Sequence, residues 1–217
     1  MNKREQRLLK DVHRYWKKHG KVVLQFGLTR ENKEPPIGPG SSTYRAYGNF
    51  VKESKPGTLM KGWVRKEFAK KRELAKHCRK YDSFHARACD SLVKYWNSRK
   101  KGGQKLKTYP YAAKLVDLQV KVCVWHKWNM SLEERRRLLN SAFQPLDRQS
   151  LALLRDLGKK DRNGDEIHEK AKMGSVKSKM DYDHYQCKIR EVCKEAKIPL
   201  FAFDYFAWHV RWSDSKA

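Results

Sequence analysis

Acidic residues are scarce in this chain. Only 24 Asp and Glu stand against 50 Lys and Arg, which leaves a net charge of +26 and a pI near 10.0. Such an excess of one sign opposes compaction unless a polyanion relieves it. Long apolar runs are absent too. None reaches the roughly 18 residues of a membrane span, so no membrane is expected as a partner. The first residues, "MNKREQRLLKDVHRYW", lack the apolar segment of a secretion signal. Cysteine is sparse and odd in number, at 78, 89, 123, 187 and 193. That excludes a disulfide framework and suits a reducing setting, cytoplasmic or nucleoid-associated. Cys187 and Cys193 read as small buried hydrophobes.

Several chemical signatures are missing as well. There is no Gly-rich NTPase loop, and no Ser/His/Asp set stands out. His77, Cys78, His85 and Cys89 lie near one another but lack the tight pairs of a zinc site. Carboxylates are not clustered as a metal-dependent nuclease needs; Asp181, Asp183 and "EAK" at 195–197 fit that pattern only loosely. No metal and no cofactor is expected.

What is present is a core. Aromatics make up 12% of 217 residues, with seven Trp and ten Tyr. That is enough for one large domain or two small ones and argues against disorder. The charge is uneven. Residues 1–110 hold 29 Lys and Arg against 9 Asp and Glu, and residues 111–217 hold 21 against 15. The N-terminal half is the electrostatic clamp, and nucleic acid is the expected partner.

Patterning predicts a mainly α chain. A basic amphipathic helix over 3–19 ends at Gly20, and "KVVLQFGLT" follows as a strand or arm. Residues 30–43 form a Pro/Gly/Ser linker. Helices are expected from 58 to about 80, over about 83–99 and over about 110–127, with a basic Gly-Gly turn at 99–107. Ser131 and Glu134 open another helix as a capping box. Asp147 starts the next, which Gly158 closes. A helix over 181–196 carries an Asp cap at Asp181 or Asp183, and Pro199 precedes an aromatic final helix.

Phosphate contacts are expected from Lys66, Lys70, Lys71, Arg72, Arg99, Lys100, Lys101, Gly102, Gly103, Lys105 and Lys107. Tyr44, Tyr47, Phe50, Tyr95 and Trp96 lie among the basic runs and are candidates to stack on unpaired bases, although core packing is the commoner use of Trp96.

The helix in "KTYPYAAKLVDLQVKVCVW" poses the sharpest question. Wound at 3.6 residues per turn, it is apolar on two arcs, with a narrow stripe of Lys114, Asp117 and Lys121 and a smaller strip of Gln119 and His126. The stripe has the spacing of surface ion pairs and reads as a solvated edge. Alternatively, Lys114 is a half-buried amine whose pKa burial and Lys121 depress. Such an amine can attack a sugar C1′ and form a Schiff base. Asp147, in "FQPLDRQSLALL", is either a plain N-cap or a carboxylate that stabilises positive charge on a deoxyribose as its base departs.

This order resembles the helix-hairpin-helix DNA glycosylase superfamily, in its bifunctional glycosylase/lyase branch: a hairpin, a lysine at the start of an apolar helix, then Pro-x-Asp opening another helix. The likeness spans about residues 105–160. It implies a helical domain of helix-hairpin-helix type with a basic N-terminal helical extension. The basic arm would occupy 1–57 and the helical domain 58–217, with clamp helices at 58–100 and the hairpin and active-site half at 101–217. It also implies Lys114 as nucleophile, Asp147 as assisting acid and 102–112 as the phosphate-gripping hairpin. The family's Gly-x-Gly before the lysine is here Tyr111-Ala112-Ala113. A flipped base would then meet a pocket, for which Asp204, Trp208 and His209 are candidates. The resulting expectation is a base-excision enzyme acting on double-stranded DNA. The alternatives are a non-enzymatic basic binder, ribosome-associated or DNA-packaging, and a nuclease.

Overall fold

The computed structural model describes residues 2–25, 35–50, 55–68, 80–106, 108–126, 128 and 130–214. Its α-helices run in chain order as α1 (Lys3–Gln25), α2 (Ser41–Tyr44), α3 (Pro56–Trp63), α4 (Tyr81–Arg99), α5 (Tyr109–Trp125), α6 (Leu132–Ser141), α7 (Arg148–Asp156), α8 (Lys179–Glu195) and α9 (Phe201–Asp214). A 3-10 segment covers Arg45–Phe50 and a π turn covers Val64–Phe68. Among the described residues the only extended pairing is an isolated bridge between Lys160 and Glu166. The mainly α expectation holds.

The chain divides into two compact units. One joins Met1–Phe26 to Phe143–Ala217; the other is Gly27–Ala142. The basic arm expected over 1–57 is therefore grouped differently, because α1 packs within the first unit. Its buried stripe includes Leu9 and Val12, and Tyr15 sets its ring 5.6 Å from Phe206 and 6.2 Å from Tyr205 of α9. Burial, with Tyr205 adding to it, raises the Tyr15 pKa to about 12. His13 Nδ1 lies 2.8 Å from the Ala196 carbonyl oxygen.

Gly20 does not end α1, which runs five residues further, to Gln25. The Trp16 ring lies over Gly20, and a Cβ there would stand 2.8 Å from Trp16 Cε2. The glycine serves a close approach one turn on rather than a stop. The strand expected from 21 is helical as far as 25 and lies outside the described residues beyond it.

Within the same unit, α7 packs on α9. Buried Gln186 of α8 pairs with the backbone of Gln144, accepting from its N–H at 3.0 Å and donating to its carbonyl at 2.7 Å. The cap of α8 is Ser178, whose hydroxyl accepts from the Asp181 N–H, with Asp181 at the third helical position. The expected Asp cap thus becomes a Ser-x-x-Asp capping box, in which each residue satisfies an otherwise orphan N–H of the first turn.

The second unit is built on α4 packed against α5, with α3 against α4 and α6 against α5. Trp63, Phe68, Phe84, Leu92, Trp96, Leu115 and Leu138 are among its fully buried side chains. Each such aliphatic or aromatic group contributes about 1.5–3 kcal/mol on burial. The helix expected over 58–80 is α3 followed by the π turn, and 69–79 lies outside the described residues. The capping box at Ser131 and Glu134 is present. Buried Arg135, one turn into α6, donates from Nε to the Val124 carbonyl at 2.8 Å. It satisfies an acceptor in the last turn of α5, where a cation is favoured, and desolvation lowers its pKa.

Candidate functional site

The basic turn after α4 is a built loop. Asn97 holds it from both directions. Its amide donates to the Leu106 carbonyl at 3.1 Å and its Oδ1 accepts from the Leu106 N–H at 2.8 Å. Leu106 itself is fully buried, so the loop is pinned at its far end by two hydrogen bonds and an apolar anchor. Gly102 and Gly103 take φ of 65° and 70°, a left-handed pair that costs other residues strain. Lys100 Nζ donates to the carbonyls of both glycines, at 3.0 and 2.7 Å.

That bonding turns Lys100 inward and leaves Arg99, Lys101 and Lys105 exposed on the rim. The Arg99 guanidinium also stands 4.1 Å over the Tyr95 ring, the geometry of a cation–π contact. Beside it, a groove of about 530 Å³ runs along α4 between Glu67, Arg87, Lys94, Tyr95 and Arg99. The second unit carries 27 Lys and Arg against 10 Asp and Glu, a net of +17 over Gly27–Ala142.

The charged stripe of α5 is not a solvated edge. Asp117 is fully buried, while Lys114 and Lys121 are half-buried. The Asp117 carboxylate accepts from His85 of α4, with Nε2 to Oδ1 at 2.8 Å and both side chains closed to solvent. The other imidazole nitrogen, Nδ1, stands 3.0 Å from the Tyr109 hydroxyl. Cys89 lies against the ring, with Sγ 3.8 Å from Nδ1 and 3.9 Å from Nε2. An ionised carboxylate only accepts. In the neutral imidazole this places the proton on Nε2, towards Asp117, and leaves Nδ1 to accept the Tyr109 O–H.

The polar strip on α5 is buried as well. Gln119 donates to the Pro36 carbonyl at 2.7 Å and accepts from the Gly38 N–H at 3.0 Å. A Cβ at Gly38 would collide with the Leu118 carbonyl, so only glycine permits this approach. Segment 35–39 thus covers the Gln119 face, while Leu118, Val122 and Trp125 are half-buried.

Asp147 is the N-cap of α7. Its Oδ1 accepts from the N–H groups of Gln149 and Ser150 at 2.9 and 3.0 Å, and its own N–H donates to the Ser150 hydroxyl at 2.8 Å. It belongs to the first unit and Lys114 to the second. Of the base-pocket candidates, Asp204 is buried in α9 and Trp208 is exposed; the side chain of His209 lies outside the described residues. Lys66 is exposed, while Lys70, Lys71, Arg72 and Lys107 also lie outside them.

The stacking candidates are mostly core. Tyr47, Tyr95 and Trp96 are buried, and Tyr47 donates to the Tyr111 carbonyl at 2.8 Å. Desolvation, followed by nearby Tyr111 and Asp117, raises the Tyr47 pKa well above its ordinary value. Cys193 is buried, as expected, and burial pushes its thiol up. Cys187 is exposed; it sits on the outward side of α8.

Sequence reasoning missed Asn97 and the His85–Asp117–Tyr109 cluster. An Asn ahead of a Gly-Gly turn is a weak sign of a pinned loop, and nothing local ties His85 to a residue 32 positions on. No helix among the described residues is long and apolar enough to cross a membrane. No family model, no curated protein and no solved structure matches the chain.

Proposed function

We propose that this protein binds nucleic acid, most directly double-stranded DNA, and that it is a base-excision enzyme with Lys114 as the attacking amine. The binding part rests on the +17 of the second unit and on the pinned loop, whose exposed Arg99, Lys101 and Lys105 suit phosphate contact. Such contacts hold register without reading sequence. The chemical part rests on one observation: Lys114 is half-buried on a helix whose adjoining charged residue, Asp117, is closed to solvent. A lysine amine placed on such a helix is the group type that forms an imine with a sugar C1′.

In this reaction the amine attacks C1′ of a flipped nucleotide. The C1′–N bond breaks and the base leaves with its electron pair, taking up a proton. Loss of the amine protons and opening of the sugar ring then leave an imine.

Borohydride reduction tests it. Duplexes carrying a panel of damaged or modified bases, and one with an abasic site, are incubated with the protein and the imine is reduced. The expected result is a covalent adduct that disappears in Lys114→Gln. An adduct that persists in that variant moves the chemistry to another amine. No adduct and no base release, with salt-sensitive binding intact, leaves a non-enzymatic binder.

A further inference from the structure

The buried cluster of the second unit has the hydrogen-bond order of a nucleophile–base–carboxylate triad. A carboxylate fixes the proton on one imidazole nitrogen, and the other nitrogen faces a hydroxyl as acceptor. Serine hydrolases use that order with Ser in the hydroxyl place; here the hydroxyl is a phenol. The distances, 2.8 Å from Asp117 to His85 and 3.0 Å from His85 to Tyr109, are within reach for proton transfer. Burial is graded along the chain of bonds. Asp117 and His85 are closed to solvent, whereas Tyr109 is half-buried at the first position of α5. Tyr109 is thus the least enclosed member of the cluster, and it follows directly on the basic loop. Tyr109 also satisfies the buried Nδ1 of His85, and at the outer end its phenol supplies a nucleophile.

We propose that Asp117, His85 and Tyr109 form a hydroxyl-activating relay, and that Tyr109 attacks the phosphorus of a nucleic-acid phosphodiester. The phenol proton passes to His85 Nδ1 as the O–P bond forms. Asp117 stabilises the resulting imidazolium. The P–O bond to one sugar oxygen breaks, and that oxygen takes the proton back from His85, leaving a phosphotyrosyl link. Neither metal nor oxidant enters the balance. The substrate class rests on the nucleic-acid reading, but the relay is independent of Lys114.

Two measurements separate the parts. The first uses no nucleic acid. An aryl sulfonyl fluoride is reacted with the whole protein and the labelled tyrosines are identified by mass spectrometry. Tyr109 is expected to label at least tenfold faster than Tyr111, two residues away and also half-buried. That comparison needs no variant. His85→Gln and Asp117→Asn should each remove the advantage, and Tyr109→Phe supplies the blank. Equal labelling of Tyr109 and Tyr111, or an advantage untouched in both variants, overturns the relay.

The second measurement uses DNA with a bridging phosphorothiolate, in both polarities, whose thiol leaving group makes the link irreversible. A covalent adduct absent from Tyr109→Phe is expected. Activated Tyr109 with no adduct overturns phosphoryl transfer. DNA binding measured beside it, in the same samples, shows whether the nucleic-acid reading itself has failed.

Discussion

Asp147 in the first unit caps α7, and Asp117 in the second lies within α5. Asp147 stays half-exposed and spends its oxygen on two N–H groups of its own helix. Asp117 is closed to solvent, and its oxygen goes to an imidazole on another helix. The same contrast runs through the two units. The first, at 23 Lys and Arg against 14 Asp and Glu, has acids at caps and in surface pairs such as Arg162–Asp181 and Lys188–Glu191, with Asp204 buried in α9. The second is far more basic, yet it encloses a carboxylate and an imidazole. A cap stabilises a helix wherever it occurs. A buried acid–base pair costs desolvation, and the more basic unit holds one.

The contrast breaks most sharply at Asp117. Asp117→Ala leaves His85 buried without its acceptor and should cost about 3–5 kcal/mol, measured by denaturant unfolding. Asp117→Asn, which keeps the shape, should cost less. A loss below about 1 kcal/mol for the alanine variant would place Asp117 with the caps.

Asn97→Ala comes next. It strands the buried N–H and carbonyl of Leu106 and should cost about 1–3 kcal/mol. Hydrogen exchange at Leu106 should accelerate with the loop's release. Asp147→Ala should cost about 0.5–2 kcal/mol, and Asp147→Asn only a small part of that, because Asn caps nearly as well. Thermal unfolding of the two variants side by side tests this, and equal losses would show that the charge matters beyond the cap.

The smallest effect is one of pH. At Asp181, burial raises the pKa, but hydrogen bonds from Arg162, Ser178 and Lys177 outweigh it and the carboxyl is held below its ordinary 3.8. The folded state thus binds the proton less readily than the unfolded one. The stability this supplies is present above pH 3.8 and is lost as pH falls through the lower folded value. Acid titration of stability should be shallower in Asp181→Asn over that window.

Local signals were legible in the sequence and distant ones were not. Ser131 with Glu134, and Asp147 before Arg148, announce helix starts because a cap is decided within four residues. Ser178 and Asp181 carry the same spacing, so the α8 start was also readable. Gly20 misled because glycine is both a stop signal and a seat for a neighbouring ring, and only the packing of Trp16 decides between them. The π turn at Val64–Phe68 has no local mark. On α5, a helical wheel correctly isolated Lys114, Asp117 and Lys121. Which edge faced inward depended on segment 35–39 covering Gln119 and on His85 reaching Asp117, and both partners lie far away along the chain. The basic loop was visible as composition; that Asn97 pins it and that Lys100 turns inward were not.

The salt dependence of DNA binding tests the central claim most directly. A labelled duplex is titrated with the wild-type protein and with a variant carrying Arg99→Gln, Lys101→Gln and Lys105→Gln, over a range of salt concentrations. The account predicts an affinity for the wild type that falls linearly in log–log form with salt. The triple variant should have a slope shallower by about 3, close to one unit per lost phosphate contact. An identical slope for the two proteins, or binding that salt does not weaken, would contradict it.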